Sequence, residues 1–168
     1  MLTNYFMRQG WDNEDLVVVS PDEGSIKRAV GHAKRIGGSI AIIDKRRESA
    51  TSVRQETIIG GPVEGKIALM FDDMISTGGS ICGAAELVKR YGAQEIHVAA
   101  THGVFAGQAT ELLKKAPIDS VVITDTIPLK PENRLDKIKV LTVSTLLGEA
   151  IKRIHHDQSI SSIFNTGN

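Results

Sequence analysis

Six short apolar runs restrict the fold more than any other feature of this chain: residues 16–20, 39–43, 66–71, 95–101, 120–124 and 139–143. Most are rich in valine and isoleucine and lack the apolar–polar alternation of a half-exposed strand. Strands buried on both faces read this way, and such strands belong to parallel sheets. Parallel neighbours need crossover connections, and the intervening stretches carry helical spacing. Ile26, Val30, Ala33 and Ile36 make one apolar stripe, and Ile81, Ala84 or Ala85, Val88 and Tyr91 make a second. Residues 106–115 and 146–154 complete the set. The alternation predicts a single α/β domain over residues 1–168, a parallel sheet with helices on both faces.

Two segments, 45–65 and 126–137, fit no regular element. The first is long for a connection in a compact domain, which points to a functional loop. It holds Lys45, Arg46, Arg47 and Arg54 and little apolar anchoring before Ile58. Such a segment is expected to open easily, so proteases should cut near Arg46, Arg47 or Arg54, and more slowly with ligand bound.

Lys and Arg number 20, as do Asp and Glu, giving a formal net charge of zero. No overall basic field draws the chain to nucleic acid or to an acidic membrane, so neither is an expected partner. No apolar run approaches the ~20 residues of a membrane span, and residues 1–10 are too polar for a signal peptide. Cys82 is the only cysteine. It allows no intramolecular disulfide and fits a reducing, cytoplasmic setting, as a buried and inert thiol.

In open α/β sheets ligands sit beyond the carboxyl ends of the strands. The richest string at such an end is residues 69–80, Leu-Met-Phe-Asp-Asp-Met-Ile-Ser-Thr-Gly-Gly-Ser. An apolar strand runs into two carboxylates, a loop of small residues and a helix. Gly78 and Gly79 let a ligand approach the backbone closely. Thr77 and Ser80 add hydroxyls, and the helix turns its free amides toward the same point, so the loop can cradle one phosphate. Asp72 and Asp73 would repel that phosphate but accept hydrogen bonds from a vicinal diol. A sugar phosphate carries both groups. Lys45, Arg46 and Arg47 follow another strand and reach the same end of the sheet, where fixed cations can stabilise a transferring phosphoryl group. Asp22 follows the first strand, as a hard oxygen ligand for a cation or as an ordinary turn cap. His102 ends a further strand with no partner evident, which favours a structural role.

The 69–80 string resembles the phosphoribosyl-diphosphate motif shared by type I phosphoribosyltransferases and ribose-phosphate pyrophosphokinases (phosphoribosyl diphosphate synthetases). Further stretches resemble the synthetases in particular: residues 17–24, Val-Val-Val-Ser-Pro-Asp-Glu-Gly; residues 41–47, Ala-Ile-Ile-Asp-Lys-Arg-Arg; residues 101–107, Thr-His-Gly-Val-Phe-Ala-Gly; and residues 124–128, Thr-Asp-Thr-Ile-Pro. The likeness runs from about Leu16 to Phe164. It implies a type I phosphoribosyltransferase-like fold with a flexible catalytic loop, and transfer of diphosphate from ATP to ribose 5-phosphate. It also implies that Lys45 and Arg47 are catalytic, and that Asp72, Asp73, Ser76, Thr77, Gly78, Gly79 and Ser80 bind the sugar phosphate. Asp22 would help to hold Mg2+.

Ser25 stands where many synthetases have a second glycine, and Ser76 replaces a common aspartate. Family members are about twice as long, and their amino-terminal half supplies a magnesium-binding histidine and much of a nucleotide site shared across a subunit contact. A longer parent is therefore expected to be a homo-oligomer, and residues 1–15 are too few for the missing half. Two other readings stay open. One is a non-catalytic sugar-phosphate-binding or regulatory subunit associated with synthetases. The other is a free-standing phosphoribosyltransferase, which would need a nucleobase-recognition element that the sequence does not display.

Overall fold

The computed structural model describes residues 1–46 and 55–164. Its seven strands are β1 (Leu16–Ser20), β2 (Ser39–Arg46), β3 (Gln55–Gly60), β4 (Ile67–Ile75), β5 (Glu95–Gly103), β6 (Ser120–Thr124) and β7 (Ile138–Leu141). They form one sheet in the order β3-β2-β1-β4-β5-β6-β7. All neighbours are parallel except β2 and β3, which are antiparallel.

The runs of β1, β4, β5 and β6 are buried on both sides, as their lack of alternation implies, whereas β7 at the sheet edge leaves Val140 exposed. In β1, Val17 and Val19 pack with Ala68 and Met70 beneath α3 (Gly79–Arg90) and α4 (Ala109–Lys115). Leu16 and Val18 face the other way, with Leu69 and Phe71, under α1 (Leu2–Met7) and α2 (Ile26–Ile36). Each fully buried aliphatic side chain contributes roughly 1.5–3 kcal/mol. The core therefore sits in two layers around β1, β4 and β5, and leaves the strand ends for function. Cys82 is buried, and burial, more than nearby Glu86, pushes its thiol up to about 11, which makes it unreactive.

Several details differ from the sequence reading. Part of the 45–65 segment is regular: β3 pairs with β2, with Ile58 opposite Ile43 and Lys45 opposite Glu56. As an edge strand with a polar start, Gln55-Glu56-Thr57, it lacks the long apolar run of its neighbours. Residues 47–54, with the cleavage sites expected near Arg47 and Arg54, lie outside the described residues. β4 continues to Ile75, so Asp72 and Asp73 are on the strand rather than after it. The buried stripe of α2 is Ala29, Ala33 and Ile36, with Val30 only half-buried. Tyr91 is exposed just beyond the end of α3, and α4 begins at Ala109 instead of Ala106. Within the 126–137 segment, Pro131–Asn133 form a short 3-10 turn. The helix α5 (Ser144–His155), followed by α6 (Ser161–Phe164), has the expected position but buries none of its residues. Among the described residues no helix is long and apolar enough to cross a membrane.

Helix α2 also carries His32, whose ring stacks on Phe71 at 3.8 Å and whose Nδ1 meets the Thr3 hydroxyl at 2.8 Å. Burial, then Arg35 and Arg28, lowers its pKa from 6.5 to about 4. The folded pKa lies below the unfolded one, so the fold favours the neutral ring. That stability is fully present above about pH 6.5 and is lost as the pH falls toward 4. Thermal unfolding from pH 7 to pH 4 should show a decline of about 1–2 kcal/mol attributable to this group, once solvent screening is allowed for. His32→Gln should flatten the decline; an unchanged slope would remove His32 as its source.

Candidate functional site

The sheet order places β1 between β2 and β4, so the chain leaves β1 toward one edge and later returns on the other side. This is the topological switch point of an open sheet, where a crevice opens beyond the carboxyl ends. Asp22 follows β1, Lys45 lies near the end of β2, and residues 72–80 run from the end of β4 into the start of α3. Residues fifty positions apart in sequence thus meet at three adjacent strand ends.

The turn from β4 into α3 is built around Gly78, whose φ of +79° is a left-handed conformation that favours glycine. Gly79 differs: its φ is ordinary, and a Cβ there would meet nothing within 4 Å. The fold needs glycine at 78, whereas at 79 it leaves open space in front of the backbone. No side chain caps α3, and its first internal bond runs from the Cys82 amide to the Gly78 carbonyl at 3.0 Å. The amides of Gly79, Ser80 and Ile81 precede that bond, as donors at a helix start do. Asp72 and residues 74–81 line a single pocket.

This loop is braced from outside. The amides of Val104 and Phe105 each donate to the Ile75 carbonyl at 3.1 Å, and Ala106 donates to the Ser76 carbonyl at 3.0 Å. Phe105 is buried with φ of +47°, an uncommon conformation for its type that these bonds help to hold. Residues 101–107 stood out in the sequence only through resemblance. No spacing rule marks them as a brace.

Asp72 is half-buried and Asp73 exposed. Their Oδ1 atoms accept from the amides of Asp73 at 2.9 Å and Met74 at 3.0 Å, respectively. Both also face Arg28 of α2. Its Nη1 donates to Asp72 Oδ1, and its Nη2 lies 3.6 Å from Asp73 Oδ1. Burial pushes the Asp72 carboxyl upward, while the hydrogen bond with Asp72 holds Asp73 down. Sequence reasoning missed Arg28. It lies on the polar side of α2 among other cations, and only the folded sheet brings it to residues 72 and 73.

Asp22 is exposed, and its Oδ1 accepts from the Ser25 amide at 2.8 Å, so it caps the Glu23–Ser25 turn. Ser25 makes this bond through its backbone. Among the described residues no group of three His, Cys, Asp or Glu is placed to hold a metal ion. The backbone of Lys45 is paired within the β2–β3 ribbon, and Arg47 lies outside the described residues. His102 does have a partner, the Thr126 hydroxyl, at 2.8 Å. Thr126 and Thr124 both donate to the Thr101 carbonyl, a network that ties together the ends of β5 and β6.

Residues 51–165 match the family described as the phosphoribosyl synthetase-associated domain. The chain belongs to this family. Over 164 residues this phosphoribosyl synthetase-associated domain is 63% identical to the ribose-phosphate pyrophosphokinase of Rhodopirellula baltica, covering 98% of the present chain and 52% of that protein. The solved phosphoribosylpyrophosphate synthetase of Mycobacterium smegmatis superposes with a TM-score of 0.83 at 34% identity, over 93% of this chain and 50% of that one. The APRTase of Giardia lamblia shares the fold alone, with a TM-score of 0.51 at 16% identity over 73% of this chain and 75% of that one. The architecture is the type I phosphoribosyltransferase-like fold that the sequence predicts. The domain spans about half the length of the curated relatives it matches.

Proposed function

We propose that this domain is the ribose 5-phosphate-binding and diphosphate-accepting part of a ribose-phosphate diphosphokinase. The observation that carries the reading is one pocket lined both by the glycine loop at the start of α3 and by the carboxylate of Asp72. A phosphate and a hydroxylated sugar need these two opposite chemistries side by side. In this reading the amides and hydroxyls of Ser76, Thr77, Gly78, Gly79 and Ser80 hold the 5-phosphate. Asp72 and Asp73 accept from the ribose hydroxyls.

The anomeric hydroxyl then attacks the β-phosphorus of ATP. A new oxygen–phosphorus bond forms, the bond to the α-phosphate oxygen breaks, the hydroxyl proton passes to solvent, and AMP leaves. Lys45 and Arg47 would stabilise the charge on the transferring group. In an active, longer chain containing these residues, Lys45→Ala should cut turnover much more than ribose 5-phosphate affinity, because the charge acts mainly in the transition state. An equal fall in both would make Lys45 a ground-state binding residue.

Magnesium fits the donor chemistry around Asp22, an exposed hard oxygen beside the crevice. Asp22 would hold it together with substrate phosphates, an arrangement that needs few protein ligands. The ion would neutralise the diphosphate when bound. The lone cysteine and neutral charge suit a cytoplasmic setting.

Calorimetric titration with ribose 5-phosphate tests the site. Asp72→Asn keeps the size of the side chain but makes it a poorer acceptor, and should weaken binding about tenfold or more. Affinity equal to that of the unaltered protein would remove the carboxylate from the site. A non-catalytic subunit that keeps the same site would bind the sugar phosphate and release no AMP in any assembly.

A further inference from the structure

We propose that Arg28 is a positioning residue for sugar recognition: it holds Asp72 and Asp73 in the arrangement that reads the ribose diol, and so sets the preference for ribose 5-phosphate over 2-deoxyribose 5-phosphate. The inference rests on the reading of this pocket as a ribose 5-phosphate site. Nothing in the motif string around residues 72–80 contains Arg28, which comes from a different helix on the other side of the switch point.

The geometry supports a positioning role over incidental pairing. Two ionised carboxylates on consecutive residues repel each other, and a cation set against both offsets that repulsion. Arg28 meets both at once, with Nη1 on Asp72 Oδ1 and Nη2 3.6 Å from Asp73 Oδ1. A guanidinium is a planar, rigid fork whose nitrogens sit at fixed separation, so bridging fixes the carboxylates relative to each other. Its base is also fixed. The neighbouring residue Ala29 is buried, as are Ala33 and Ile36, and together they anchor α2 to the sheet. The contacts with Arg28 and with the strand amides all fall on the two Oδ1 atoms. None of these contacts falls on the second oxygen of either carboxylate, and a vicinal diol offers two donors. A site built around paired acceptors discriminates strongly against an analogue that lacks one hydroxyl, because an acceptor is then left unmet.

The test compares ribose 5-phosphate, 2-deoxyribose 5-phosphate and inorganic phosphate, titrated against the unaltered protein, Arg28→Ala, Arg28→Met and Arg28→Lys. The unaltered protein should favour ribose 5-phosphate over the deoxy sugar by about a hundredfold. Arg28→Ala should reduce that ratio to within about threefold, while inorganic phosphate, which reads only the glycine loop, binds as before. Arg28→Met keeps the apolar stem and should behave like Arg28→Ala, which separates lost packing from lost positioning. Arg28→Lys restores the charge but not the fork and should recover only part of the ratio. If the unaltered protein binds neither sugar phosphate, the site reading fails and the proposal falls with it. If it binds both sugars and the ratio is the same in every variant, Arg28 does not position the pair, although the site reading stands. A parallel loss of all three ligands in Arg28→Met would mark a general structural role and would also overturn the proposal.

Discussion

Replacing Gly79 with valine is expected to abolish ribose 5-phosphate binding while the protein folds and melts almost as before. The space in front of Gly79 is open, and its φ is one that any residue can adopt. A Cβ at the first position of α3 therefore meets no clash within the protein, and valine is no poorer a helix former than glycine. The isopropyl group would stand where the phosphate must approach the amides of Gly79, Ser80 and Ile81, and affinity should fall at least about a hundredfold. Gly78→Val is the opposite case. A β-branched residue at φ of +79°, with its Cβ 3.5 Å from Ala109 Cα, strains the fold itself by roughly 1–3 kcal/mol. Calorimetry and thermal melting on the two variants separate the roles. Unchanged affinity in Gly79→Val would mean that the phosphate sits elsewhere.

A second large effect concerns turnover. A chain of these 168 residues is expected to bind ribose 5-phosphate and yet release little or no AMP when given magnesium and ATP. The domain covers 52% of the Rhodopirellula baltica synthetase and 50% of the Mycobacterium smegmatis structure, and its pocket at the glycine loop is the one proposed for the sugar phosphate. In-line transfer requires the β-phosphorus of ATP to be held against the anomeric hydroxyl, and misplacement by ~1 Å costs about a hundredfold. The decisive comparison is AMP release by this chain alone and by a longer chain that contains it. Robust turnover by the short chain would show that it carries a nucleotide site of its own.

The parts of the molecule that were legible in the sequence share a physical cause. β1 and β6 were read to the residue because strands buried on both faces have no choice but to be continuously apolar, and polar turns bound them sharply. The glycine loop was legible because its chemistry is local: strand, carboxylates, small residues and helix follow one another in twelve positions. β3 was not legible, since an edge strand can be polar and still complete its hydrogen bonds with β2. Arg28 and the brace from Val104 to Ala106 were not legible as site elements. Their function depends on which strand ends become neighbours, and only the order of the sheet determines that.

The strand order also shapes how the site comes into being. Except for β2 and β3, every pairing in the sheet joins strands separated by a helix or a long excursion, and β1 must wait for β4, some fifty residues later, before its second edge is filled. Pairings of that span require extensive loop closure before any rung forms, which makes folding slow relative to a helical bundle. The crevice between β1 and β4 lies on one of these late-closing seams. In a chain emerging from the ribosome, Asp22 is made some fifty residues before the glycine loop that it will face. On the proposed reading, ribose 5-phosphate would engage only molecules that have closed this seam, and its binding in a refolding experiment should not precede formation of the sheet.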